Sequence, residues 1–434
     1  MNVLLGTLLS LSSLLPITTL AQQRVFTDDI DHFWTAYDSV KTTANHAQQV
    51  AFMTSLYVER QSPGLAAFMK ARDYSAAHWV ELIHRYPKFW TSIRPNTLTV
   101  KQQAPAIESS IRAFRKLYPE LREARLYFTI GGLRSGGTVE DQMVLIGTEI
   151  ATANAQTDVS EFTDPWLATV FQQQSLDNVV ALNLHEYVHT QQRSGNERGN
   201  VLTQALKEGS CDFITELVTG RPLRASYAVY GAAHEPELRT LFEQDMFSQA
   251  YGAWLYNGTS SPTTADLGYY MGYVICKAYY NKIPQKKQAI KDIIELNYAD
   301  STAVERFVQR SGYYAQPWNK AALAAAFAAK QPVLVTTHPV VVGNSAVDAS
   351  LKELVIHFDR EMNRAGVSFA PGPRGKNYFP LQQPVGFSAD GRSYTVQVAL
   401  EPHHEYEFIV TKRGFKSKQG YALRQDYPIH FRTR

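Results

Sequence analysis

The hydrophobic pattern of the first third of the chain repeats at helical spacing. From Thr27 to about Leu121, apolar residues recur three and four positions apart, which places them on one face of an α-helix. Within this region, Pro87 and Pro95 are expected to bound one short helix. The pattern predicts a layer of amphipathic helices. Two representative sets are Val50, Met53, Leu56 and Tyr57, and then Ile107, Ile111, Phe114 and Leu117.

A short β-rich region interrupts the helical pattern. Residues 125–130 and 142–147 are rich in β-branched and aromatic side chains, which predicts two strands of a small sheet. The glycine-rich link at 131–137 is either a plain hairpin connection, the favoured interpretation, or the border of a cleft. It is not a phosphate loop, because it lacks the Lys-Ser/Thr ending. Helical spacing then returns at 202–217, 236–256 and 262–281, and continues to residue 329.

From Val333 the pattern changes to short strands separated by turns. About a hundred residues of regularly spaced strands predict a β-sandwich. The chain is therefore expected to be an α+β protein, mostly helical to residue 331 and a β-domain over 332–434. The predicted strands lie at 354–358, 394–398, 406–410 and 429–431.

The first 21 residues are apolar and end in a small residue, as in a secretory signal peptide. The usual Lys or Arg near the start is missing. A membrane anchor is the alternative, but Pro16 and the short apolar length argue against it. We expect an exported protein whose mature chain starts near Gln22 and has no transmembrane segment. The expected location is the periplasm, the cell surface or the medium.

Composition narrows the functional classes. The 434 residues carry a formal charge of only +3 and no long basic cluster, so nucleic-acid binding is not supported. The two cysteines, Cys211 and Cys276, fall in apolar helical stretches. They are expected to act as buried hydrophobic side chains instead of forming a disulfide, although an exported protein permits one.

The sequence H-E-x-x-H at His185, Glu186 and His189 is the clearest chemical motif. Two histidines four apart lie on one face of a helix, so both can reach a single Zn²⁺. The intervening Glu186 then stands beside the open coordination position, where a general base is needed. The alternative is a surface helix that happens to carry two histidines.

The next predicted helix supplies two carboxylates. Eighteen residues separate His189 from Glu208, which is enough for one helix to end and a second to pass it. Glu208 is therefore expected to be the third zinc ligand, leaving the fourth position for water. Asp212 lies one turn further on, where its carboxylate suits accepting the N–H of a ligand histidine. Gly220 is the expected end of this helix.

This combination of motifs resembles the gluzincins, the thermolysin-like and aminopeptidase-like zinc peptidases. The metzincin pattern is absent, because Gln192 and Gly195 stand where it needs Gly and His. From about Asp28 to Tyr313 the chain is also similar to predicted Zn-dependent proteases of Bacteroidetes related to a gliding-motility lipoprotein. The resembling pieces are Asp31-His32-Phe33-Trp34, Ser62-Pro63-Gly64-Leu65, Tyr127-Phe128-Thr129-Ile130-Gly131 and Gly268-Tyr269-Tyr270-Met271-Gly272-Tyr273.

The resemblance implies a zincin-like catalytic domain over 22–331. It implies that an edge strand of the small sheet binds extended peptide, and that a downstream Tyr or His stabilises the oxyanion. Tyr273 is the residue we assign, with Tyr269, Tyr270 and His234 as the alternatives.

The last hundred residues resemble the bacterial Ig-like domain of surface-layer proteins. This resemblance implies a spacer or attachment module without chemistry of its own, and association with the cell envelope. It rests on Pro339, Phe358-x-x-x-Met362, Ser388-x-Asp390-Gly391, Leu400-x-Pro402-x-x-x-Tyr406 and Phe431-x-Thr433.

Together these features predict an exported zinc metallopeptidase that acts on a peptide or protein substrate. Zn²⁺ is the expected cofactor, with Glu186 as the base. The alternative is a non-catalytic envelope or surface protein that keeps the zincin shape for binding. The complete set of His185, Glu186, His189 and Glu208 favours the enzyme.

Overall fold

The computed structural model describes residues 23–163, 165–173, 178–193, 199–258, 261, 264–315, 317–339 and 346–434. The predicted signal peptide and Pro262 lie outside these ranges. The chain is an α+β protein with small sheets. It has two separate hydrophobic clusters, one built from residues between 25 and 314 and one from residues between 347 and 431. The boundary predicted at residue 331 falls between them.

Helices make up most of the chain before residue 331. A π-helical segment lies at Thr54–Val58, and 3₁₀ segments lie at Val100–Gln103 and Lys376–Tyr378. The α-helices are α1 (Asp28–Val40), α2 (His46–Met53), α3 (Pro63–Arg72), α4 (Ala76–Arg85), α5 (Pro87–Thr99), α6 (Ala104–Leu117), α7 (Thr148–Ala151), α8 (Pro165–Gln173), α9 (Val179–His189), α10 (Val201–Thr219), α11 (Ser226–Ala233), α12 (Glu235–Asp245), α13 (Tyr251–Trp254), α14 (Leu267–Lys282), α15 (Lys286–Ile294), α16 (Ser301–Ser311) and α17 (Lys320–Lys330).

The strands form three four-stranded sheets. The first has the order β1-β2-β4-β3, in which β1, β2 and β4 are parallel and β3 is antiparallel to β4. The second and third have the orders β5-β7-β10-β9 and β6-β12-β11-β8. The strands are β1 (Val25–Phe26), β2 (Arg125–Thr129), β3 (Gly137–Glu140), β4 (Met143–Gly147), β5 (Leu334–His338), β6 (Ala346–Val347), β7 (Glu353–Phe358), β8 (Phe369–Pro371), β9 (Leu381–Phe387), β10 (Ser393–Val398), β11 (Glu405–Val410) and β12 (Tyr427–Thr433).

An aromatic cluster joins the N-terminal helices into one layer. Tyr57 packs against Phe33 and Trp79 with ring centroids 5.3 and 5.0 Å apart, and Phe33 also meets Trp90 at 5.2 Å. All four rings are fully buried. The Tyr57 hydroxyl also donates to the Ile130 carbonyl at 2.7 Å, at the end of β2. The helical layer therefore holds the first sheet in place as well as supplying a core.

Helix α10 is the central element of the larger cluster, with most of its side chains buried. It crosses α14 in backbone contact. A Cβ placed on Gly272 would lie 1.7 Å from the Ala205 carbonyl oxygen, and one on Gly209 would lie 2.1 Å from the Tyr273 nitrogen. Only glycine permits this approach. Helix α10 ends at Gly220 in the left-handed conformation, as predicted.

The two C-terminal sheets share one core. Ile356 of β7 and Val396 of β10 belong to the same buried cluster as Phe408 of β11 and Phe431 of β12. Both sheets therefore contribute buried side chains to the same cluster. The strands predicted at 354–358, 394–398, 406–410 and 429–431 correspond to these four strands.

Several local expectations were wrong. Helix α5 continues through Pro95, because Ile93 and Thr97 are buried on either side of it. The glycine-rich link is not a hairpin between the two predicted strands, because β2 and β4 are parallel and β3 lies between them in the chain. The predicted helix at 236–256 is two helices, α12 and α13. Within the described ranges, no helix combines the length and apolar content needed to cross a bilayer.

The connection after β2 is anchored by a buried carboxylate. Glu149 of α7 is fully buried and accepts the N–H groups of Gly131 at 2.8 Å and Leu133 at 3.2 Å. Burial raises the pKa of Glu149 to about 7, although these N–H donors act in the opposite direction. The free energy of unfolding should therefore depend on pH through this residue.

A raised carboxyl pKa stabilises the protein below the unfolded pKa, and that stability is lost as pH rises through the folded value. We expect the free energy of unfolding of the wild type to fall between about pH 4.5 and 7 relative to Glu149→Gln, by up to about 3 kcal/mol. Denaturant unfolding of both proteins across this range measures the difference. Glu140→Gln, at the exposed last residue of β3, is the control and should show no such trend. A constant offset between wild type and Glu149→Gln would contradict this account.

Candidate metal centre

Helix α9 carries the H-E-x-x-H motif beside the first sheet. Leu184 and Val188 are buried, and the neighbouring side of the helix, with His185 and His189, is directed toward Glu208 of α10. Tyr187 holds the helix to the residues before β2, because its hydroxyl accepts the Ala124 N–H at 2.9 Å. His185 and His189 lie one turn apart, with ring centroids 4.9 Å from each other.

Helix α10 brings Glu208 to both histidines. Its Oε2 lies 3.2 Å from Nε2 of His189 and 3.4 Å from Nε2 of His185. The first turn of α10 is well satisfied, because the Asn200 side chain accepts the Thr203 N–H at 2.9 Å. The structure thus brings together the three residues predicted as metal ligands.

Asp212 contacts His185 on the side away from Glu208. Its Oδ1 lies 2.8 Å from Nδ1 of His185, and its Oδ2 accepts the Tyr227 hydroxyl at 2.9 Å. The carboxylate accepts a hydrogen bond from the N–H at Nδ1, which leaves the lone pair of Nε2 directed at Glu208. The position predicted for Asp212 is therefore the one observed.

Gln192 orients the second histidine in the same way. Its Nε2 donates to the Lys207 carbonyl at 2.7 Å and to Ser210 Oγ at 2.9 Å. A carbonyl only accepts, so the amide oxygen of Gln192 must face Nδ1 of His189, at 2.8 Å. His189 then carries its proton on Nδ1 and presents the Nε2 lone pair to Glu208. This role of Gln192 was not predicted from sequence, although a side chain three residues after His189 lies within its reach.

Oε2 of Glu208 therefore lies close to the Nε2 atoms of both histidines. Burial acts to lower the pKa of His185, but the hydrogen bond to Asp212 and the nearby carboxylates together outweigh it, and the pKa lies well above its usual value. Burial acts to raise the pKa of Glu208, but its charge interactions and hydrogen bonds with His189 and His185 together outweigh it, and the pKa lies well below its usual value. Both directions favour positive charge at the imidazoles beside ionised carboxylates.

The spacing of these atoms fits tetrahedral zinc. With bonds of about 2.0–2.1 Å, two ligand atoms of a tetrahedral site lie about 3.3–3.4 Å apart. The observed separations from Oε2 of Glu208, 3.2 and 3.4 Å, bracket that value. Two neutral imidazoles and a carboxylate are also a donor set that zinc accepts.

Cys211 forms an alternative grouping with the two histidines, whose potential ligand atoms lie within 4.8 Å of one another. Its sulfur, however, lies 3.4 Å from Nδ1 of His189, the nitrogen that Gln192 occupies. Burial also raises the pKa of the Cys211 thiol well above its usual value, which disfavours the thiolate. Glu208 is therefore the better third ligand. Cys211 and Cys276 are both free, buried thiols.

Glu186 faces β3, the terminal strand of the first sheet. A Cβ placed on Gly137 would lie 2.9 Å from Oε1 of Glu186. The strand and the carboxylate are thus in close contact, which a larger residue at position 137 would prevent. Glu186 is not a partner of Glu208, Asp212 or Gln192 in the hydrogen bonds of this cluster, so it is separate from the ligand set.

Tyr256 and Tyr269 line the cluster. The Tyr256 hydroxyl donates to Oε1 of Glu208 at 2.8 Å, and its side chain is 55% exposed. Tyr269 stacks on His185 with ring centroids 6.0 Å apart. Tyr256 was not among the residues predicted from sequence, because the segment that carries it has no motif or period.

The structure does not bring Tyr273 to this cluster. Its hydroxyl donates to Oε2 of Glu216 at 2.7 Å and accepts from Lys277 at 2.7 Å. Glu216 is two turns beyond Glu208 on α10, roughly 12 Å along the helix axis. The oxyanion role predicted for Tyr273 is therefore corrected, because this hydroxyl belongs to a separate ion-pair group. The Tyr270 hydroxyl forms a hydrogen bond with Glu235, and His234 forms one with the Tyr230 carbonyl.

Comparisons with known proteins leave the family undefined. No family model and no curated protein matches the chain. Two solved structures are similar, the S-layer protein rSbsC(31-844) at 12% identity and TM-score 0.18, and domains 1-6 of surface layer protein SbsC at 10% and 0.19. Each match covers 94% of this chain, which spans 45% and 44% of theirs. At these TM-scores neither structure informs the fold or function.

The ligand set can be tested by metal content. We expect about one zinc per chain in the wild type and a loss of zinc in Glu208→Ala, because two remaining ligands seldom hold zinc against solvent. Cys211→Ala should retain it, because the thiol lies behind His189. Elemental analysis of the purified proteins, with circular dichroism to verify folding, measures both. Zinc retained in Glu208→Ala and lost from Cys211→Ala would reverse the assignment.

Proposed function

We propose that this chain is an exported zinc-dependent peptidase. Its catalytic domain would be zincin-like and cover residues 22–331, and residues 332–434 would form an Ig-like β-sandwich. The observation that carries the proposal is the approach of Glu208 Oε2 to within 3.4 Å of both Nε2 atoms of the H-E-x-x-H histidines. The donor set is that of a catalytic zinc site, which keeps one position open.

Residues of this chain divide the work of holding the metal. His185, His189 and Glu208 would hold it, while Asp212 and Gln192 fix the histidine tautomers from outside. When bound there, zinc would polarise the scissile carbonyl and lower the pKa of the attacking water. Hydrogen bonds from outside the ligands also keep the rings from rotating out of position, which preserves metal affinity.

Glu186 acts as the general base. It lies on the same helix as both histidines and does not bind Glu208, so its carboxylate is available to a water at the open position. It removes a proton from that water and delivers a proton to the leaving amine. This reaction needs a carboxylate that is near the metal but is not a ligand.

Tyr256 takes the oxyanion role that the sequence suggested for Tyr273. Its hydroxyl is 2.8 Å from Oε1 of Glu208, and its ring is exposed to solvent, where substrate would arrive. On substrate binding, the hydroxyl donates to the carbonyl oxygen as negative charge develops there.

Strand β3 is the natural binding edge for the peptide. It is hydrogen-bonded to β4 on one side and ends the sheet on the other. An extended peptide can add to such an edge by backbone pairing, and Gly137 would bring it alongside Glu186. The substrate class that follows is an extended peptide or an unfolded segment of a protein.

The exported location remains part of the proposal. It is supported by the apolar residues 1–21 with their small-residue ending. An Ig-like domain after the catalytic part also suits envelope association.

The role of Glu186 separates catalysis from binding. Glu186→Gln has nearly the same shape but cannot accept a proton at neutral pH, so zinc and folding should persist while hydrolysis falls by about 10²–10⁴. Peptide-library digestion, zinc content and melting temperature of both proteins measure this. Glu81→Gln, on the exposed face of α4, is the matched control and should cleave like the wild type.

Two outcomes would contradict the mechanism. Equal hydrolysis in wild type and Glu186→Gln would remove Glu186 as the base. A wild type that binds zinc and cleaves nothing in a broad library would favour the non-catalytic binding protein.

A further inference from the structure

A second buried carboxylate cluster lies at the end of α12, apart from the candidate metal centre. Asp245 is fully buried. Its Oδ1 accepts from Lys330 Nζ at 2.9 Å, and its Oδ2 accepts from Trp254 Nε1 at 2.9 Å and from the Tyr421 hydroxyl at 2.6 Å. A buried carboxylate is tolerated only when it is paired and hydrogen-bonded, and these three donors meet that need.

The three donors come from different parts of the chain. Trp254 is the last residue of α13, Lys330 is the last residue of α17, and Tyr421 lies between β11 and β12 in the C-terminal β-domain. Asp245 therefore ties the β-domain to α13 through a single carboxylate oxygen, which both Trp254 and Tyr421 share.

The β-domain also rests directly on the backbone of α13. A Cβ on Gly420 would lie 2.6 Å from the Gly252 carbonyl oxygen, and one on Gly252 would lie 3.0 Å from Lys416 Nζ. The turn around Gly420 is thus in contact with α13 one residue away from the Tyr421 hydrogen bond.

Helix α13 leads straight into the candidate site. Leu255 is fully buried against Gly268 of α14, and Tyr256 follows it with a backbone φ of 55°. A left-handed tyrosine is costly and persists only where its surroundings hold it. One support is Asp266, whose carboxylate accepts the Tyr256 N–H at 2.6 Å. The Tyr256 hydroxyl then reaches Glu208.

We propose that the C-terminal β-domain positions Tyr256 at the metal centre, through Tyr421 and Asp245 acting on Trp254. Tyr421 and Asp245 are positioning residues, since neither touches the metal ligands. The catalytic consequence of this arrangement rests on the proposed function, whereas its structural consequence does not. The β-domain is thus part of the site's framework, in contrast to the spacer that the sequence implied.

Hydrogen exchange of the full-length protein tests the structural consequence. Tyr421→Phe removes one hydrogen bond to Asp245 and leaves the ring in place. We expect the amides of residues 251–256 to exchange about three- to tenfold faster, the range that one lost hydrogen bond produces. Mass spectrometry of peptides covering 250–258 measures the change, with peptides from α9 as the internal reference.

Tyr406→Phe is the matched control. It loses a comparable hydrogen bond, from the Glu401 N–H at 2.6 Å, inside the same β-domain and away from α13. Its 251–256 amides should exchange as in the wild type. Unchanged exchange in Tyr421→Phe, or an equal increase in both variants, would overturn the proposal.

Lys330→Gln, which removes the cation at the other Asp245 oxygen, provides a second measurement of the same amides if Tyr421→Phe does not fold. Unchanged exchange there would overturn it as well.

A double-mutant cycle tests the catalytic consequence in the zinc-loaded, full-length enzyme. Tyr421→Phe should lower kcat about three- to tenfold with KM unchanged, and Tyr256→Phe should lower it by about 10²–10³. Because Tyr421 acts through Tyr256, the double variant should equal Tyr256→Phe alone. Additive losses would overturn the proposal. If the wild type cleaves no peptide, the proposed function fails, while the exchange comparison still decides the positioning role.

Discussion

The structure depends on the backbone contact between α10 and α14. Gly209 and Gly272 let the two helices cross without intervening side chains, so α10 is covered by α14 on one side and by α9 on the other. This burial places Glu208 and Asp212 in a region of low polarity, where each carboxylate requires a positively charged or N–H partner. His185 supplies the N–H partner of Asp212, and a cation held between the Nε2 atoms and the carboxylate would be the partner of Glu208. A side chain at either glycine would push the helices apart and separate Glu208 from both imidazoles.

The same low polarity makes the outer contacts important. Asp212 and Gln192 each bind the Nδ1 atom of one histidine, and together they direct both Nε2 lone pairs toward Glu208. Without a cation, that arrangement would set acceptors against an acceptor, which supports the proposed metal site. Asp245 shows the same principle in another place, because its buried charge is met by donors from three separate segments. Buried carboxylates therefore join both the two helices of the centre and the two parts of the chain.

The spacing of apolar residues along the chain predicted much of the fold. Helix α10, its end at Gly220 and the strands of the β-domain follow from three-four and two-residue spacings. The proposed ligand set could be predicted from sequence, because His185 and His189 are one turn apart and Glu208 lies on the next helix. Tyr256 could not be predicted from sequence. Its position depends on Asp266, on Leu255 packing against Gly268, and on a β-domain residue more than a hundred and fifty positions away. Tyr273 was assigned the oxyanion role because the sequence does not reveal which turn of α14 lies beside α9. Strand β3 was missed because it is short and begins with glycine.

The proposed metal site holds one zinc ion between His185, His189 and Glu208. A crystal structure of the full-length protein, with diffraction recorded on both sides of the zinc absorption edge, tests this most directly. We expect one anomalous peak about 2.0–2.2 Å from both Nε2 atoms and from the Glu208 carboxylate, with Asp212 and Gln192 still bound to the Nδ1 atoms. A crystal grown with zinc that shows no peak there, or a peak bonded to Cys211, would contradict it.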